Sequence, residues 1–359
     1  MATKDNELYV YIYGYKDPAY PFQLFIGSRG DGKTYGGIGG AVEEEDVESF
    51  MYSRLTDKEW KILLDRKGVE GANPFKKYNK NNGTNYGLQK INESLAGIYN
   101  REVCDDGKLR CIGAPIGYSA PLYGLADIRG QDFDDVTDWI LDEFVPEKHK
   151  RGMSDMAEAM FNGYETINRN RELEGRPPLR FWGLANSNNI YNDMFKGLGI
   201  VADVEKMQRK GQTDKYYKKR GLAVHLLKNS PIFEEQKSKT ALYRLTAGTR
   251  YADMALTNKF AYDDFSLVEY RKLQDYRPMC SIVSQDVEAT FYIRKGGREI
   301  YTSYAPAKYT DYYQVDRDHE RQAFKKAQGA KLYSKYISGD LIFESYELKA
   351  MVLDIIANR

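Results

Sequence analysis

Residues 27–34 read Gly27-Ser28-Arg29-Gly30-Asp31-Gly32-Lys33-Thr34, a match to G-x-x-x-x-G-K-[ST] without deviation. An apolar run, Gln23 to Ile26, leads into the loop, and Tyr35 to Val42 follows as a helix. That order turns backbone N–H groups inward around a polyphosphate, and the helix N-terminus adds partial positive charge. Lys33 is then placed to reach the β- and γ-phosphates, and the Thr34 hydroxyl to coordinate Mg²⁺. The helix contains Gly36, Gly37, Gly39 and Gly40. Each costs roughly 0.5–1 kcal/mol relative to Ala, so a short or tightly packed helix is expected.

The second half of such a site follows at Trp139-Ile140-Leu141-Asp142-Glu143, an apolar strand running into two acids. Asp142 at the strand end can hold the metal through water, and Glu143 can polarise the attacking water. Asp-Glu at a strand end also starts helices, but downstream of an unbroken phosphate loop the pair reads as catalytic. Adjacent acids favour an ATPase that activates water itself over a G protein or a kinase, and no N/TKxD-type guanine-reading segment is visible. ATP and Mg²⁺ are the expected cofactors. The next buried strand, Arg180 to Ala185, ends in Asn186 and Ser187. Asn186 either senses the γ-phosphate or simply caps an exposed strand end. Arg169 and Arg171 close the helix expected over Asp155 to Asn170. Arginines there complement the helix dipole or serve as an arginine finger.

Strands alternating with helices argue for a parallel α/β sheet. Leu8 to Tyr13 and Ser49 to Arg54 read as further strands, Glu70 to Asn85 as a mobile surface loop, and Gln89 to Tyr99 as a helix. A hairpin is expected around Asp105-Asp106-Gly107. The pattern changes after Leu227: Asn229 to Thr246 is a polar, helical connector. Strands follow at Met279 to Ser284, Ala289 to Arg294 and Glu299 to Tyr304, then helices at His319 to Ile337 and Tyr346 to Ala357. The expected organisation is a P-loop domain over residues 1–228, a linker over 229–264 and an α+β domain over 265–359.

At 359 residues, two domains are the prior expectation. No run of about 18 apolar residues exists, and the polar N-terminus offers no secretory signal, so no membrane partner is expected. Cys104, Cys111 and Cys280 form no Cys-x-x-Cys pair, and His149, His225 and His319 lie far apart, which excludes a metal signature and points to a reducing cytoplasm. With 53 Lys and Arg against 52 Asp and Glu, the net charge is only +1. Any contact with nucleic acid must therefore be local or weak.

The segments Phe25 to Tyr35, Ile140-Leu-Asp-Glu-Phe144, Arg169-Asn-Arg-Glu172, Leu184-Ala-Asn-Ser187, Gly248-Thr-Arg-Tyr251, Met254 to Phe260 and Ser338 to Phe343 keep their order over most of the chain. Together they resemble the phi29-like family of phage double-stranded-DNA packaging ATPases, terminase-like P-loop motors of the additional-strand (ASCE) class. Arg-Asn-Arg-Glu, Gly-Thr-x-Tyr and Met-x-Leu-x-Asn-x-Phe are the discriminating elements, since the phosphate-site motifs are generic. The resemblance implies a pentameric ring at the portal of an empty prohead in the host cytoplasm, driving duplex DNA into the capsid; the sequence leaves open whether a scaffold RNA is a further partner.

In such rings Arg169 would be the finger that acts across the subunit interface. Arg129 matches a second basic position acting in trans, with Arg where Lys is familiar. Gly248 to Phe260 would form a small lid. The C-terminal domain would have an RNase H-like nuclease fold. Its strand Met279 to Ser284 carries no interior acid, with Asp286 and Glu288 just beyond, so a vestigial domain devoted to binding is expected. Arg294, Lys295 and Arg298 make a basic hairpin tip that either touches phosphates or is a solvated turn. Two other readings stand beside the motor: a complete terminase that also cuts, and a nucleotide-gated assembly protein without translocation.

Overall fold

A computed structural model describes residues 8–67, 69–146, 155–249, 264–284, 287–308 and 310–357. Two compact units emerge, one from residues 1–189 and 207–261, the other from 190–206 and 262–359.

The first unit contains β1 (Phe22–Gly27), α1 (Lys33–Glu43), β2 (Ser49–Arg54), α2 (Asp57–Lys61), α3 (Lys76–Asn82), β3 (Tyr86–Lys90), β4 (Ala96–Val103), β5 (Leu109–Pro121), β6 (Val136–Asp142), α4 (Met156–Asn168) and β7 (Arg180–Asn186). Its nine-stranded sheet runs β3-β4-β5-β2-β6-β7-β1-β9-β8, where β8 is Asp214–Tyr217 and β9 is Leu222–Leu226. The six strands from β5 to β9 in that order are parallel, and antiparallel pairing extends both edges. β2, β6 and β7 are buried on both faces, and their centres, Phe50 to Tyr52, Trp139 to Leu141 and Phe181 to Ala185, carry no charged residue. β7 lies between β1, which carries the phosphate loop, and β6, which carries Asp142, so all three strands end side by side. That inserted strand is the arrangement of the additional-strand class.

Several expected elements are corrected. Leu8 to Tyr13 is not a strand; a 3₁₀ turn spans Ile12–Tyr15 instead. Its apolar side chains serve to cover α1. A Cβ on Gly36 would lie 2.1 Å from the Val10 carbonyl oxygen, and one on Gly40 would lie 2.2 Å from the Tyr13 ring. The glycines thus let the N-terminal segment lie directly on the helix. Buried Asp138 at the start of β6 pins that segment, accepting from Tyr13 OH at 3.2 Å, Trp182 Nε1 at 2.7 Å and Arg180 Nη2 at 2.6 Å.

The expected loop Glu70 to Asn85 contains α3, anchored by buried Phe75 and Tyr78. The expected helix Gln89 to Tyr99 is the β3–β4 hairpin. Asn92-Glu93-Ser94 makes its turn, closed by Ile91 N to Leu95 O at 2.9 Å, and Ala96 and Ile98 enter the core. The Asp105-Asp106-Gly107 hairpin forms between β4 and β5, with Gly107 at φ 76°. The connector consists of two short helices, α7 (Pro231–Ser238) and α8 (Ala241–Leu245). Of the expected lid Gly248 to Phe260, residues 250–260 lie outside the described residues.

In the second unit, β10 (Tyr276–Ser284), β11 (Val287–Arg294) and β12 (Ile300–Ser303) form an antiparallel meander. β13 (Asp311–Gln314) adds in parallel beside β10, and β14 (Leu341–Phe343) in parallel beside β12. The helix expected over His319 to Ile337 is α9 (Asp318–Phe324) and α10 (Ala330–Ile337), joined by a π turn; α11 (Tyr346–Ala357) follows. Residues 190–206, with α5 (Asp193–Gly197) and the start of α6 (Val201–Lys210), group with this unit rather than with residues 1–189. Tyr191 packs against its core, and the Glu205 carboxylate accepts from Tyr346 N at 3.0 Å, supplying a partner for one of the first amides of α11. Asp286 lies outside the described residues; Glu288 sits in β11 opposite Val283. No helix among the described residues is long and apolar enough to cross a membrane.

Candidate nucleotide site

The loop between β1 and α1 turns at Gly30 (φ 86°) and Gly32 (φ 87°), conformations that glycine adopts without steric cost. Gly27 is needed for a different reason: a Cβ there would lie 2.0 Å from Asp31 Oδ2. The Lys33 ammonium donates to Asp31 Oδ1 at 2.8 Å, to Asp31 Oδ2 at 3.0 Å and to the Ser28 carbonyl at 2.8 Å. The Ser28 hydroxyl donates to Asn229 Oδ1 at 2.6 Å, so the residue just after β9 is tied to the loop.

Across the sheet, the Thr34 hydroxyl lies 3.0 Å from Asp142 Oδ2 and 3.1 Å from Oδ1. Asp142 is 3 % exposed and accepts two more bonds that the sequence did not foretell, from Tyr52 OH at 2.8 Å and Arg54 Nη1 at 3.2 Å. Arg54 Nη2 also donates to Glu143 Oε2. Burial alone would lower the Arg54 guanidinium, but Tyr52, Asp142 and Glu143 beside it outweigh that and raise its pKa. Tyr52 and Arg54 sit in β2, which pairs with β6; only that pairing brings them to the acids. Glu143 adopts φ 57°, turning the chain sharply at the strand end, while Phe144 N donates to Leu184 O at 3.1 Å.

These groups share one cleft of about 330 Å³. It is lined by Arg29, Gly30, Asp31, Gly32, Lys33, Thr34, Asp142, Glu143, Ala185 and Asn186, together with Tyr9, Tyr35, Pro74 and Lys77. Asn186 is half-buried there, and Ser187 N donates to Gly27 O at 3.0 Å, fixing the end of β7 against the loop. The donor set of a hydroxyl and a carboxylate in contact, both hard oxygens, fits Mg²⁺.

Arg169 and Arg129 are brought together but do not line this cleft. The Arg169 guanidinium donates to the carbonyls of Arg129 (3.3 Å) and Gln131. Its backbone has φ 47° and ψ −131°, beyond the end of α4. Arg171, 5 % exposed, donates to the carbonyls of Asp134 at 3.0 Å and Val136 at 2.6 Å and so supports the start of β6. In the second unit Arg294, Lys295 and Arg298 are exposed. Lys295 Nζ donates to Gln274 O at 3.1 Å.

Fold and cleft together define a P-loop NTPase of the additional-strand class. The chain belongs to the Podovirus DNA encapsidation protein (Gp16) family, whose model matches residues 21–357. Its structure is similar to a chain of the bacteriophage Phi-29 viral genome packaging motor assembly, with a TM-score of 0.63 and 19% identity, covering 98% of this chain and 99% of that one. It is also similar to the Phi-28 gp11 DNA packaging motor, with a TM-score of 0.60 and 18% identity over 99% of each chain. No curated protein matches the sequence.

Proposed function

We propose that this protein is the ATPase of a phage genome-packaging motor, hydrolysing ATP in a ring to drive double-stranded DNA into a preformed capsid. The observation that carries the reading is the convergence of Lys33, Thr34, Asp142 and Glu143 on one cleft in a chain of the DNA encapsidation family. Lys33 leaves Asp31 to grip the β- and γ-phosphates. Thr34 and Asp142 hold Mg²⁺, which when bound neutralises charge on the phosphate oxygens. Glu143 orients and polarises water for in-line attack, and Asn186 at the end of β7 contacts the terminal phosphate. Arg169, supported by the neighbouring Arg129 carbonyl, enters the site of an adjacent copy. That neither arginine lines the cleft of its own chain supports action in trans.

The partners in this reading are duplex DNA, the portal and capsid of an empty prohead in the host cytoplasm, with or without a scaffold RNA, and further copies of the chain in a pentamer. We infer that the second unit is a vestigial RNase H-like domain devoted to binding. The three-stranded meander with β13 parallel to its first strand supports this, and β10 carries no carboxylate.

The test is steady-state ATP hydrolysis against protein concentration, with and without linear duplex DNA, for wild type, Glu143→Gln and Arg169→Ala. The motor predicts activity that rises faster than linearly, stimulation by DNA, and loss of turnover in both variants. Flat activity per chain with a silent Arg169→Ala removes the ring mechanism. Metal-dependent cleavage of plasmid DNA would restore the complete-terminase reading.

A further inference from the structure

The cleft has a direction that its phosphate-binding groups set. Asp142, Glu143, Lys33 and Thr34 line it together, with the Thr34 hydroxyl in contact with Asp142. A triphosphate gripped by Lys33 with its terminal phosphate toward Glu143 must send its ribose and base the other way, past the start of α1. Beyond the phosphate loop and the ends of β6 and β7, the cleft is lined by Tyr9, Tyr35, Pro74 and Lys77, drawn from the N-terminal segment, α1 and the edge of α3. Two are aromatic, one is a cation and none is an acid, a composition that suits a flat heteroaromatic ring beside phosphates.

Tyr9 is held in place by the phosphate loop itself. Val10 N donates to the Asp31 carbonyl at 3.0 Å. A Cβ on Gly32 would lie 2.5 Å from Tyr9 Cβ, Cγ and Cδ1, so the side chain rests on the loop and only glycine leaves it room. The Tyr9 ring meets that of Tyr35 at 5.3 Å between centroids. Lys77 Nζ sits 4.1 Å from the Tyr9 ring centroid and donates to the Tyr9 hydroxyl. The ring is thus paired with a cation beside the phosphate loop.

We propose that Tyr9 is the platform on which the purine base of the nucleotide stacks, with Lys77 turning from the ring to acceptors on the ribose and base. This rests on the ATP reading of the phosphate loop and adds the base end of the same site. A π-face grips a base through its plane, so the platform contributes affinity and orientation rather than edge recognition.

The experiment is calorimetric binding of ATP and of inorganic tripolyphosphate, each with Mg²⁺, to the full chain as wild type, Tyr9→Ala and Tyr9→Phe. Tripolyphosphate engages the loop and has no base. The expected result is that Tyr9→Ala weakens ATP about tenfold, within the range for loss of one stacked base, and leaves tripolyphosphate unchanged. Tyr9→Phe, which keeps the ring, retains wild-type ATP affinity. Equal weakening of both ligands by Tyr9→Ala would mean that Tyr9 merely props the loop, and no change in either would put the base elsewhere; both overturn the proposal. A wild-type protein that binds neither ligand overturns the ATP reading itself, a result distinct from the other two.

Discussion

Arg54 grips Glu143 through Nη2 while its Nη1 stands 3.2 Å from Asp142 Oδ2, so one guanidinium from β2 neutralises both acids at the end of β6. A carboxylate held in this way is turned from any attacking water, and the positive charge opposes a divalent cation at Asp142. Arg54→Ala leaves Asp142 with Tyr52 and Thr34 alone. We expect it to lower the stability of the nucleotide-free protein by about 1–3 kcal/mol in urea unfolding. The Mg²⁺ concentration needed for half-maximal ATP binding should fall. Unchanged stability with weaker Mg²⁺ dependence would show that Arg54 acts mainly in the bound state.

Asp31 holds the Lys33 ammonium at 2.8 and 3.0 Å. A triphosphate must take the ammonium from it and then tolerate a carboxylate nearby. Asp31→Asn removes that competition, and ATP should bind about five- to tenfold more tightly, equivalent to roughly 1 kcal/mol of relieved like-charge repulsion. Direct titration by calorimetry checks this. Weaker binding would assign Asp31 the opposite task, orienting Lys33 for the phosphates.

Arg169 and Arg171 lie two residues apart and have different surroundings. Arg171 is buried on the carbonyls of Asp134 and Val136, so Arg171→Ala should cost about 1–3 kcal/mol by leaving charge-assisted hydrogen bonds unmade. Arg169 adopts φ 47°, a strained backbone for any residue with a Cβ. Arg169→Gly should therefore be more stable than Arg169→Ala by about 1 kcal/mol, yet equally poor in multi-subunit hydrolysis. Parallel unfolding and ATPase curves separate the two properties. A glycine variant no more stable than the alanine one would show that the backbone holds no strain there.

The phosphate loop and Asp142-Glu143 were legible because the chemistry demands residues adjacent in sequence. β1, β2, β6 and β7 were legible because burial on both faces leaves apolar or aromatic centres, Leu24 to Ile26, Phe50 to Tyr52, Trp139 to Leu141 and Phe181 to Ala185. The N-terminal segment misled for a related reason. Val10, Ile12 and Tyr13 satisfy a strand pattern, but their surface covers the glycines of α1. In the β3–β4 hairpin, Leu88, Leu95 and Ile98 fall at helical spacings, and the Asn92-Glu93-Ser94 turn decides otherwise. Tyr52 and Arg54 could not be read at all, because the neighbour of β2 is set by tertiary pairing. The placement of residues 190–206 depends likewise on a contact such as Glu205 with Tyr346, 141 positions away.

Lys237, on α7, offers a pH-dependent test of how the connector meets the loop. Its ammonium donates to the Arg29 carbonyl and lies 4.7 Å from the Phe233 ring and 5.2 Å from that of Tyr243. Burial first, then Lys33 and Arg29, lower its pKa from 10.5 to about 8, with Asp31 opposing them. In the unfolded chain the proton is held up to about pH 10.5; in the folded chain it leaves near 8. Between those values the unfolded state binds more protons, so stability contributed at this position rises with pH. Below pH 8 both states are protonated and the folded one carries the full penalty. Lys237→Met should thus gain on wild type most at pH 7, and the difference in urea midpoints should shrink steadily from pH 8 to 10. Comparing the two proteins cancels the other titrating groups. A difference that stays constant from pH 7 to 10 would show that the Lys237 ammonium remains solvated and that α7 does not cover it.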